Sequence, residues 1–166
     1  MNFPLAHKTL IKPGYLIVSR EPTVIYAVLG NAVMVTMHDV RLRYGGAVHF
    51  IYPRTENASN ATVEYGNVSI LSIYNSMIQF GSKKTDIVSK ILGGSDKPGE
   101  SVGKSNIEQA KKTLKRLGIK ITKIDAGGHI GRKLVYFNQT DEIAIINSER
   151  IREYDWYPYK KGDGYD

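Results

Sequence analysis

The chain has 166 residues, 42% of them hydrophobic and 23% charged, with a net charge of +7. That is the size and composition of one globular domain with a core of its own. It contains no cysteine, which excludes disulfides, thiolate metal sites and thiol catalysis. No apolar run approaches the ~18 residues of a membrane span, and the first residues lack the basic-then-apolar pattern of a signal peptide. The expectation is a cytoplasmic protein without membrane insertion.

In chain order, Val24 to Val28 is a short, partly β-branched run, the mark of a buried strand. Gly30 and Asn31 punctuate it, and Val33, Val35 and Met37 then alternate with Met34, Thr36 and His38 as a second strand. A polar turn follows, and Ala47 to Tyr52 reads as a third strand, stopped by Pro53. Strands joined this closely pair as an antiparallel hairpin. Centred near residue 41, the hairpin brings Ala32 and His49 within a residue of each other across the ladder.

Gly66 to Phe80 carries Ile70, Ile73, Met77 and Phe80 at helical spacing, with Gly81 as the stop. Asp86 to Leu92 is a further strand. Ser105 and Glu108 have the spacing of a capping box, and Ile107, Ala110, Leu114 and Leu117 form one apolar stripe ended by Gly118. Ile119 to Ile124 reads as a half-exposed strand, Gly127-Gly128 as a turn, and 134–137 with 142–146 as a last strand pair. The domain is expected over 14–147, with residues 1–13 as an N-terminal extension and 148–166 as an aromatic and charged tail. The fold class is α/β: a single-domain sandwich of mixed, largely antiparallel sheet, one large sheet system with about two main helices.

The positive charge permits nucleic acid, anionic lipid or an acidic protein as partner. Lys111, Lys112, Lys115 and Arg116 have helical spacing and read as a solvated helix face. No nucleic-acid motif accompanies them, so nucleic acid is not expected. His7, His38 and His129 show no metal spacing, and neither a metal nor a cofactor is expected.

Five glycine-bearing segments then stand out together: Leu29-Gly30-Asn31-Ala32-Val33, Gly45-Gly46-Ala47-Val48-His49-Phe50, Lys90-Ile91-Leu92-Gly93-Gly94, Val102-Gly103-Lys104-Ser105-Asn106 and Asp125-Ala126-Gly127-Gly128-His129-Ile130-Gly131-Arg132. In that order they resemble the signature of the CheD family: LGSCV, GGMAHF, KIFGGA, IGxRN and DxGGxxGR. Each string alone is weak, but five in sequence are hard to obtain by chance. The resemblance implies a compact α/β sandwich and a role in chemotaxis: hydrolysis of a chemoreceptor glutamine to glutamate and ammonia. It also implies two partners, the helices of a methyl-accepting chemotaxis protein and a CheC-type phosphatase.

The family's chemistry is covalent. A cysteine thiolate attacks the glutamine carboxamide, a histidine moves the protons, and backbone N–H groups hold the oxyanion. By the resemblance, the cysteine position falls on Ala32 and the general base on His49, at the family's own interval. Gly30 and Asn31 fall at the oxyanion turn, and Tyr26 lies near the position of a threonine that helps orient the histidine. Without the resemblance, His49 reads as an ordinary half-buried strand histidine. Ala32 has no nucleophile, a loss that typically costs on the order of 10⁶ in kcat, so the chain as written is expected to be inactive. A single introduced replacement would account for Ala32. Asn31 and Tyr26 depart from the family as well and favour natural divergence. On that reading, Ala32→Cys alone restores little.

Overall fold

The computed structural model describes residues 5–151. The expected tail's aromatic residues Tyr154, Trp156, Tyr157 and Tyr159 lie outside that range. Among the described residues the chain forms β1 (His7–Leu10), β2 (Tyr15–Ser19), β3 (Thr23–Leu29), β4 (Val33–Asp39), β5 (Tyr44–Phe50), α1 (Gly66–Gln79), β6 (Ile87–Gly93), α2 (Val102–Leu117), β7 (Lys120–Ala126), β8 (Gly131–Phe137) and β9 (Glu142–Ser148). The fold is an α/β sandwich, and the expected single sheet system is two sheets. One has the order β1-β3-β8-β9 and the other β2-β5-β4-β6-β7. Pairing is antiparallel except β1 with β3 and β6 with β7.

Strand alternation explains the layers. Successive side chains of a strand point to opposite faces. Along β4, Val33, Val35 and Met37 join Ile70, Ile73 and Met77 of α1 and Ile107 and Leu114 of α2 in one core. Met34 faces the other way and packs with Ile25, Leu29, Leu92 and Tyr136 between the sheets. β4 is therefore buried on both faces along its whole length, its polar Thr36, His38 and Asp39 included. Each fully buried Ile, Phe or Met contributes roughly 1.5–3 kcal/mol, and both helices spend their apolar stripe on the five-stranded sheet.

The hairpin of β4 and β5 forms as expected, one residue from the anticipated register: Val33 faces Phe50 and Met34 faces His49. β1 and β2, absent from the sequence reading, pair with β3 and β5. Sheet pairing thus begins at His7, inside the segment expected to be an extension. The capping box is not how α2 begins. The helix starts at Val102, so Ser105 and Glu108 lie inside it. Its first amides are satisfied from a distance: Asp96 accepts from the N–H of Gly103 at 2.7 Å and of Lys104 at 2.9 Å, a carboxylate at the positive end of the helix. The other end follows expectation. Gly118 adopts φ +70°, and the N–H groups of Gly118 and Ile119 donate to the carbonyls of Lys115 and Leu114, a Schellman closure.

Candidate functional site

The site is built where β3 hands over to β4 and where β6 ends. The β4–β6 ladder runs one residue beyond the strands: the N–H of Gly94 donates to the carbonyl of Ala32 at 2.8 Å, and the N–H of Ser95 to that of Gly30 at 2.9 Å. Gly93 and Gly94 have φ of +95° and +69°, a region that other residues adopt only with strain. A Cβ on Gly93 would stand 2.6 Å from the Ala32 carbonyl oxygen. The glycine pair thus lets the end of β6 close directly onto residue 32.

Asn106, fully buried on α2, ties this turn to the strand that carries His49. Its Nδ2 donates to the carbonyl of Asn31 at 3.0 Å and of Ile51 at 2.8 Å, while its Oδ1 is buried with no hydrogen-bond partner among the described residues. The sequence reading assigned Asn106 no role, although it is the last residue of one of the five segments. A second clamp closes the neighbouring turn. Arg132 Nε donates to Asp125 Oδ1 at 2.8 Å, and its Nη1 donates to the carbonyls of Gly127 and Ile130. The acid and the base of the fifth segment are therefore partners across the Gly127-Gly128 turn.

Gly30, Asn31 and Ala32 line one cleft of about 650 Å³ together with Ser95 and His129. His129 Nδ1 lies 2.6 Å from the Asp96 carbonyl oxygen. Ala32 is only 8% exposed, at the cleft floor. His49 is fully buried and is not part of the cleft lining. His49 is directly opposite Met34, and Ala32 is two residues before Met34, so alternation puts Ala32 and His49 on the same face as diagonal neighbours. Such Cβ atoms are about 7 Å apart, a gap that a sulfur on one side and an imidazole on the other can close.

His49 Nδ1 is 3.0 Å from the carbonyl oxygen of Ile11. A carbonyl can only accept, so Nδ1 carries the proton and Nε2 is the basic nitrogen. Burial depresses the imidazole to about 4, against a smaller upward pull from the Ile11 carbonyl. At neutral pH it is an uncharged base.

Tyr26 does not join this group. Ile25, Ala27 and Leu29 of β3 face the space between the sheets, and alternation turns Tyr26 to the opposite face. Beside Tyr26, it is Ala27 that shares a face with the inter-sheet core, together with Ile25 and Leu29.

The depressed His49 gives a measurable signature. The unfolded chain takes up a proton near 6.5, whereas the folded chain resists it until about 4. The stability owed to neutral His49 is complete above pH 6.5 and is lost as pH falls through that window, by about 3 kcal/mol in total. Urea unfolding of the chain and of His49→Gln across the window is expected to give a shallower acid slope for the variant. Parallel slopes would mean that His49 titrates normally in the folded protein.

Comparison with known proteins identifies the family. The family model described as CheD chemotactic sensory transduction matches residues 52–147, a span that begins just after His49. A probable chemoreceptor glutamine deamidase CheD of Sulfurimonas denitrificans is 34% identical over 133 residues, 76% of this chain and 85% of that protein. One from Methanococcus maripaludis is 30% identical over 148 residues, 86% of this chain and 96% of its own length. One from Geobacter sulfurreducens, a probable chemoreceptor glutamine deamidase CheD 2, is 31% identical over 145 residues, 84% and 89% of the two chains. With a family model matched over more than half its length and relatives aligned over most of theirs, the chain belongs to the CheD family.

Proposed function

We propose that this chain is a catalytically silent member of the family, which recognises glutamine-bearing chemoreceptor helices at the Ala32 cleft and does not hydrolyse them. The observation that carries the reading is the register of β4 and β5, which puts Ala32, a residue of the cleft lining, on the same face as the buried His49 in a chain without any cysteine. His49 can accept a proton through Nε2, and the Gly30-Asn31 turn offers backbone to a carboxamide oxygen. No thiol is there to attack. Without a covalent step, the remaining work of the cleft is binding. A CheC-type phosphatase is the other partner that such a binding module would serve.

The test uses receptor peptides containing glutamine. Binding by calorimetry without release of ammonia is the expected result. Ammonia above the buffer background would overturn the proposal and point to another nucleophile in the cleft.

A further inference from the structure

The strand directions sort the charges toward one end of the molecule. β4 begins beside Ala32 and ends at the turn Val40–Arg43. That turn meets the start of β6, with the Val40 N–H bonded to the Asp86 carbonyl. The start of β7 pairs here with β6, and the C-terminus of α2 packs on the Lys84 side chain at Gly118. The end of α1 is tied in through Tyr44, whose hydroxyl bonds the Met77 carbonyl. With strands of seven residues, this pole stands about 20 Å from the Ala32 cleft.

Its surface is basic and apolar at once. Arg43, Lys83, Lys84, Lys115, Arg116 and Lys120 are all exposed, and none is in an ion pair among the described residues. The acids near them are already engaged. Asp86 pairs with Arg41 and Asp141 with Lys90, and Asp39 is buried, accepting from the N–H groups of Arg41 and Leu42. Between these cations, hydrophobic side chains face solvent: Val40 at 55% exposure, Leu42 at 40%, Ile78 at 38% and Phe80 at 40%. Val40 and Leu42 alternate with Arg41 and Arg43 along the hairpin turn.

We propose that this pole docks on an anionic phospholipid bilayer, with Val40 and Leu42 entering the interface and the surrounding lysines and arginines meeting the headgroup phosphates. Charge complementarity selects an anionic partner, and the exposed aliphatic turn selects a bilayer among anionic partners. A nucleic-acid backbone rewards cations alone, whereas an interfacial anchor combines cations with apolar side chains at one level. A cleft of about 600 Å³ between this turn and the β8–β9 connection is bordered by Arg43 and Lys123, room for a headgroup beside the turn. Docked this way, the protein presents the Ala32 cleft away from the membrane. The surface shares no residue with that cleft, and the inference does not depend on the function proposed for it.

Vesicle co-sedimentation tests it with the full chain. Partition is expected onto vesicles of phosphatidylcholine with added phosphatidylglycerol, with little onto phosphatidylcholine alone, and it should fall steeply with salt. Val40→Ser with Leu42→Ser, and separately Lys83→Glu with Lys84→Glu, should each weaken partition about tenfold or more at unchanged Tm. Should a variant unfold, the salt and lipid dependence of the unaltered chain still decides. Absence of binding to the anionic vesicles overturns the proposal. So does binding that ignores the Val40 and Leu42 change, or a DNA duplex that competes as well as the vesicles do, since either would show a surface reading charge alone.

Discussion

Ala32→Cys is expected to turn the chain into a glutamine deamidase. The sequence argued against this, because Asn31 and Tyr26 depart from the family as well as Ala32. The structure removes Tyr26 from the argument: alternation along β3 points it away from the inter-sheet face on which His49 lies. What surrounds residue 32 is otherwise in place. Its carbonyl is held by Gly94, the turn before it is held by Asn106, and His49 faces it as a neutral base whose Nδ1–H is fixed on Ile11. A thiol there loses its proton to Nε2 as it attacks the carboxamide, the imidazolium protonates the departing ammonia, and water then hydrolyses the thioester to glutamate and frees the thiol. Because burial holds His49 to about 4, a resting thiolate–imidazolium pair is not favoured, and the proton should move during attack. The variant's thiol should therefore alkylate slowly near neutral pH while still turning over glutamine. Restored turnover should exceed that of the unaltered chain by several orders of magnitude, as loss of a nucleophile typically costs on the order of 10⁶. Ammonia release from receptor peptides measures it. An inert variant whose cysteine is accessible to iodoacetamide would instead place the obstacle at Asn31.

Asn106→Ala is expected to be the costliest substitution around the site for stability. It leaves the carbonyls of Asn31 and Ile51 without the amide that satisfies both and opens a void on α2. Each buried group left unpaired costs about 1–3 kcal/mol, so the loss should be about 3 kcal/mol or more. Urea denaturation reads it. In the Ala32→Cys background, turnover should fall further than the loss of folded protein explains, since the same amide fixes the turn that presents residue 32. A stability loss under about 1 kcal/mol would show that water replaces the amide and that Asn106 fixes nothing.

What could be read from the sequence follows from range of interaction. The β4–β5 hairpin was legible to within one residue because its register depends on a local turn. The stop of α2 at Gly118 was legible because a left-handed closure needs glycine there. Its start was not. A capping-box spacing at Ser105 and Glu108 was the local signal, but the actual cap, Asp96, arrives across a loop. β1 and β2 were missed because their partners, β3 and β5, lie far along the chain. The division into two sheets was illegible for a related reason: β3 and β4 bury nearly every residue whichever face it points to, so periodicity does not say that they belong to different sheets. At the site, residues 32 and 49 came from the family resemblance and the hairpin spacing together. Asn106 was in view as one letter of a matching segment, but nothing local says that an asparagine on a helix reaches two strands at once.

The central claim is that the Ala32–His49 corner is where the family's chemistry is done, and that this chain lacks only its nucleophile there. Mass spectrometry of receptor peptides after incubation with three proteins tests it most directly: the unaltered chain, Ala32→Cys, and Ala32→Cys combined with His49→Ala. The account predicts a deamidation mass gain on glutamine with the single variant alone. Deamidation by the unaltered chain, or undiminished deamidation by the double variant, would contradict it.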